Sequence, residues 1–159
     1  MKTKHKKLKL KIELVPGPSW GNNLRRLLKQ SDWRKIRERV CIKYKWKCGI
    51  CGVKEKLFCH EVWKYDNKKH IQKLTGFIAL CGMCHLIKHS GYAGIVVAEG
   101  WVSSRSLIKH FMKVNNCDKK IFKEHREKAF EAWNERSRYK WHVDFGKYKN
   151  IIKSVSKKK

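Results

Sequence analysis

The order of apolar and polar positions divides the chain into short, sharply bounded segments. Leu8, Leu10, Ile12 and Leu14 alternate with charged residues across LKLKIELV, the period of a half-buried strand over 8–15, and PGP at 16–18 ends it. Leu24, Leu27 and Leu28 predict a short helix. Ser31 stands as the N-cap of a longer one, in which Trp33, Ile36, Val40, Cys41 and Tyr44 recur at helical steps while Arg34, Lys35, Arg37, Glu38 and Arg39 face elsewhere. From Trp46 to Gly91 the order becomes knuckle, strand, loop, knuckle, helix. KLFCHEVW is the strand, YDNKKHIQKLTG the loop, FIAL the lead into the second knuckle, and Gly91 closes a helix that begins near Cys84. GYAGIVVAEG reads as loop or short strand. Leu107, Ile108, Phe111 and Met112 mark another helix, and a long one follows from about Asp118 with Ile121, Phe122, Ala129, Phe130 and Trp133 inward. WHVDF alternates Trp141, Val143 and Phe145 as a last strand that can pair with the first, and KSVSKKK is a solvated tail. The pattern predicts a single α+β domain over 1–159, with a distinct core at 46–91 and basic tails at 1–7 and 154–159.

Charge narrows the partners. Forty Lys+Arg against thirteen Asp+Glu give a formal charge of +27, far beyond the magnitude of about 2–8 usual for a small soluble domain, and such self-repulsion calls for a polyanion. Nucleic acid is the expected partner. No apolar run approaches the roughly 20 residues that span a bilayer, which predicts a cytoplasmic protein with no membrane association. In that compartment seven cysteines read as ligands or buried thiols, not disulfides. Cys41, on a helical apolar stripe, and Cys117, near a helix end, read as packing residues.

Cys59 also stands outside the pattern, and the other four cysteines carry the chemistry. Cys48 and Cys51 in KCGICG, and Cys81 and Cys84 in LCGMCH, form two C-x-x-C knuckles whose four thiolates close a tetrahedral shell around a structural Zn2+. Adjacent helical residues point about 100° apart, so if Cys84 turns toward the zinc, His85 turns away, and His89, one turn on, points with it. These two imidazoles need an opposing ligand. His60 and Glu61 in KLFCHEVW supply one, from a strand that the zinc ties antiparallel to FIAL; one of the pair can complete an open coordination sphere while its neighbour removes a proton from water. Arg25, Arg26, Arg34, Arg37 and Arg39 form a dense basic helical surface suited to phosphates. Lys64, Lys68, Lys69 and Lys73, with Trp63 and Tyr65, read either as backbone and base contacts or as a solvated loop over a hydrophobic hairpin.

The order C-x-x-C, strand with His-Glu, loop, L-C-x-x-C-H-x-x-x-H resembles the zinc-stapled HNH endonucleases, over Cys48 to His89. The flanks VPGPSWGNNLRRLL and WNERSRYKWHVDF are similar to those of small bacterial and phage members. The resemblance implies a ββα-metal core flanked by helices and a short N-/C-terminal strand pair, and a metal-dependent DNA endonuclease with a catalytic Mg2+, Mn2+ or Zn2+ held by His85, His89 and the His60-Glu61 pair. Two positions depart from the family pattern. Its middle asparagine falls on Gly76, with Asn67, His70 or Gln72 as substitutes, and its Asp-His or His-His doublet is His60-Glu61. Strand phase makes His60 the ligand and Glu61 the base; residue type makes His60 the base, which the neutral-range pKa of imidazole favours. The alternative is a zinc-stapled nucleic-acid-binding protein without catalysis, RNA-associated.

Overall fold

The computed structural model describes residues 7–156, and side chains as far as 152. Its centre is a β-hairpin, β1 (Leu57–Asp66) and β2 (Ile71–Cys81), paired antiparallel from Leu57↔Cys81 to Asp66↔Ile71. The predicted twelve-residue loop is instead a four-residue turn, 67–70, secured by Asp66 Oδ1, which accepts from the backbone N–H of Lys68 and Lys69. Charge along 65–76 masked the strands, yet Gln72 and Leu74 point inward and are buried. A bulge between Val62 and Trp63 shifts the register.

Helices cover both faces. Ahead of the hairpin lie α1 (Leu24–Leu27) and α2 (Gln30–Lys43); the latter is capped at Lys29, ahead of the expected Ser31. After it come α3 (Gly82–Lys88), α4 (Ser90–Ala98), α5 (Ser104–Asn115) and α6 (Lys119–Ser137). Alternation along β1 sends Cys59 and Glu61 toward α1 and α2, where Glu61 meets the backbone of Arg25, and sends Phe58 and His60 toward α3, where Phe58 stacks on His85.

Several expectations are corrected. The alternation over 8–15 holds, with Leu10 and Ile12 buried, but no strand forms. The polar backbone there is satisfied by side chains: Asn115 Oδ1 accepts from the N–H of Lys9 and Leu10, Asn115 Nδ2 donates to Leu10 O, and His125 Nε2 accepts from Ile12 N–H. The terminal strand pair is therefore absent, and the last strand, β3 (His142–Asp144), lies parallel to β2 through Ile71↔His142 to Lys73↔Asp144. The strand order β1-β2-β3 leaves β1 at the edge. GYAGIVVAEG is helical as α4, where Ala93 and Val97 join the core and override the β-branched run. Gly91 lies inside α4, and α3 ends instead at His89 (φ −98, ψ 53). Ile121 is 41 % exposed. A helix α7 (Lys149–Ser156) extends into the expected C-terminal tail as far as Ser156; 1–6 and 157–159 lie outside the described residues. Among the described residues no helix is long and apolar enough to cross a membrane.

The main core joins Leu10, Ile12, Val40, Cys41, Leu57, Leu80, Ile87 and Phe111 around the cysteine cluster. A smaller one gathers Leu24, Leu28 and Leu74 under Trp33, Trp63 and Phe145.

Candidate functional site

Cys48, Cys51, Cys81 and Cys84 bring their sulfurs within 4.8 Å of one another. Backbone geometry at the first knuckle demands glycine twice: Gly52 has φ +78, and a Cβ on Gly49 would stand 2.6 Å from Tyr44 Cε1 and 2.8 Å from Ile78 Cγ1. Gly49 N–H also donates to Ala79 O, tying this knuckle to β2. The second knuckle opens α3, where Cys81 is the N-cap and its Sγ accepts from Cys84 N–H. A tetrahedral ion with bonds of about 2.3 Å needs sulfurs about 3.8 Å apart, and Cys51 and Cys81 are 3.6 Å apart. Hydrogen bonds from Cys81 and Cys84 push the Cys48 thiol far down, and the same contacts push Cys81 up to about 12 and Cys84 further up. Without a cation the four sulfurs cannot all ionise, and their near-tetrahedral spacing fits a structural metal ion. His110 of α5 places Nε2 3.2 Å from Cys84 Sγ, an outer partner that the sequence pattern did not single out.

His60, His85 and His89 converge on the other side of α3, each with a ring nitrogen within 4.8 Å of the others. His60 Nδ1 and His89 Nε2 are 3.0 Å apart. Burial, then the neighbouring His60, holds His85 down at about 4 and His89 at about 3, so both are neutral, with lone pairs free for an ion. The donor set of three imidazoles fits a second divalent ion with open positions. Because the unfolded histidines titrate near 6.5, the unfolded chain takes up protons between there and 3 that the ion-free folded cluster refuses; stability therefore rises with pH through this interval and is lost on acidification. Relative to His89→Gln, the wild type with its histidine cluster empty is expected to lose roughly 1–2 kcal/mol between pH 7 and pH 5, read from urea midpoints.

Glu13 lies behind His60. Its Oε2 is 4.0 Å from His60 Nε2, its Oε1 is 2.7 Å from the buried Lys88 Nζ, and its N–H donates to Lys88 O. Burial opposes ionisation, but the nearby His60 ring and the Lys88 ammonium outweigh it and hold the carboxyl at about 2. A carboxylate on one ring nitrogen leaves the other to face an ion. The sequence held one signal for this residue: Glu13 is the only acid among the first 31 residues. Glu13→Gln is expected to weaken binding of Co2+ at the histidine cluster about 10- to 100-fold, measured by absorbance titration with the cysteine site already loaded.

Glu61 is separate from the imidazole cluster. Oε1 accepts from Arg25 N–H at 3.1 Å, Oε2 is buried with no partner, and burial raises its pKa against the pull of the Arg25 and Leu24 backbone. Because β1 is the edge strand, Glu61 and the histidines still line one cleft of about 620 Å³, together with Arg25 and Arg26.

The other cationic residues are spread out. Arg34 and Arg39 are exposed on α2, Arg37 donates to Leu57 O, and the exposed Lys64, Lys68 and Lys69 lie toward the hairpin tip, roughly 13–20 Å from His60 along the strand. Of the substitutes for the asparagine, Asn67 accepts from Arg136 Nε at the tip, His70 stacks on Tyr139, and Gln72 alone lines the cleft. A side chain at Gly76 would meet nothing within 4 Å. Trp20 and Tyr92, also in the cleft wall, were not anticipated; Trp20 is a lone aromatic inside a Pro/Gly/Asn turn. No family model matches the chain, and no curated protein or solved structure matches it either.

Proposed function

We propose that the protein is a metal-dependent DNA endonuclease of the HNH type, built on a hairpin and helix stapled by a structural Zn2+. The observation that carries this reading is the convergence of His60 from β1 with His85 and His89 from α3, at the wall of a cleft that also holds Arg25, Arg26 and Glu61. His60, His85 and His89 are the ligands, since a ring nitrogen of His60 already faces His89. That leaves Glu61 as the proton acceptor for water: a carboxylate lifted by burial is better poised near neutral pH than an exposed one. Arg25 and Arg26 hold the phosphate. A divalent ion on the imidazoles supplies Lewis-acid stabilisation of charge on the phosphate and leaving oxygen. Three nitrogen ligands favour Zn2+ or Mn2+ over Mg2+, which prefers oxygen.

The test is supercoiled plasmid incubated with zinc-loaded protein and Mn2+, Zn2+ or Mg2+. Nicking or linearisation is expected, strongest with the first two. The second reading, a zinc-stapled nucleic-acid-binding protein, draws on the bare backbone at Gly76, and retention of plasmid with steep salt dependence but no cut under any ion favours it.

A further inference from the structure

The cleft beside the histidines is more apolar than a groove that grips phosphates alone. Trp20, 64 % exposed, and Tyr92, 51 % exposed, stand in its wall with Trp63 and Val96, whereas a site that only positions a backbone needs cations and N–H donors. Exposed aromatics carry a hydration cost, and two of them beside Arg25 and Arg26 in one concavity call for a flat apolar partner attached to an anion. A second observation is independent of the first. Gln72 also lines the cleft, is 1 % exposed, and its Oε1 is buried without a donor. Such an orphan acceptor costs about as much as a lost hydrogen bond unless something entering the cleft supplies an N–H.

An unpaired nucleobase meets all three requirements. Its faces stack on aromatic rings, its phosphate carries the charge, and its pairing edge offers amino or imino N–H donors that a duplex keeps occupied. We infer that this cleft binds an unpaired base of single-stranded or locally opened DNA, stacked against Trp20 and Tyr92 and read at its pairing edge by Gln72. The inference deepens the nuclease reading and rests on it for the choice of DNA: the strand to be cut enters with a base flipped or already unpaired, so that its phosphate reaches the imidazole cluster.

The test is equilibrium binding, separate from cleavage. Full-length zinc-loaded protein in the His85→Ala background, which prevents cutting, is titrated against a short DNA strand carrying one 2-aminopurine, and against the same sequence as duplex and as RNA. The single DNA strand is expected to bind at least tenfold more tightly than the duplex, with quenched 2-aminopurine emission. Trp20→Ala and Tyr92→Ala are each expected to weaken the single strand about tenfold and leave the duplex unchanged. Both side chains are more than half exposed, so truncation spares the core, and an unchanged thermal midpoint checks this. Equal affinity for duplex, tighter binding of RNA, or a single-strand preference that survives both truncations overturns the inference. A protein that cuts nothing yet shows the expected binding overturns only the nuclease reading.

Discussion

Cys84→Ser is expected to abolish the folded state of the whole domain, not merely to loosen its central segment. Closing four thiolates on zinc contributes an apparent 10–16 kcal/mol, as much as or more than the entire 5–15 kcal/mol stability of an ordinary domain. The cluster sits inside the main core, in contact with both knuckles and with His110 of α5, so its loss takes the packing of Leu10, Leu80, Ile87 and Phe111 with it. Circular dichroism and thermal melting of the variant, and of the wild type dialysed against a chelator, should show no cooperative transition. A variant that melts cooperatively near the wild-type midpoint would show that packing alone holds the hairpin to α3.

His85→Ala is expected to cut plasmid cleavage on the order of a thousandfold while leaving the fold intact. His85 is partly exposed and its ring packs between His89, at a centroid distance of 4.7 Å, and Phe58, at 5.1 Å, so the deletion opens space at the cleft wall and leaves the core untouched. His89→Ala should behave alike, whereas Glu61→Gln should lower the rate without weakening ion binding, because its carboxylate stands outside the imidazole cluster. Cleavage rates with Mn2+, set beside ion affinity by calorimetry, separate the two classes. Cleavage that persists at the wild-type rate in His85→Ala would remove this cluster from the reaction.

The four-cysteine and three-histidine clusters were legible because they depend on short spacings. A C-x-x-C step and a single helical turn fix directions over a few residues, so the sulfurs and the imidazoles part company in three dimensions as their rotation about α3 requires. The hairpin was legible only at its knuckle end. At its far end Lys64, Lys68, Lys69 and Lys73 hid strand alternation under charge, and only Gln72 and Leu74, buried opposite them, reveal the pairing. The segment at 8–15 shows a different limit: alternation reports which side chains are inward, not what satisfies the backbone, and here Asn115 and His125 take the place of a neighbouring strand. Glu13 stood out only as an isolated acid, and Gln72 only as one of three stand-ins for the missing asparagine, for a related reason. Each faces the cleft beside residues that lie far away along the chain, and no local period encodes that.

The hairpin is clasped at both ends, by the sulfur cluster beside Leu57↔Cys81 and by the Asp66 turn at the other. Slippage by one residue would rotate every side chain of β1 to the opposite face, carrying His60 beneath α2 and presenting Cys59 or Glu61 to the imidazoles of α3. An ion held by the four sulfurs, remote from any substrate, would thereby decide which side chain of β1 faces the histidines of α3.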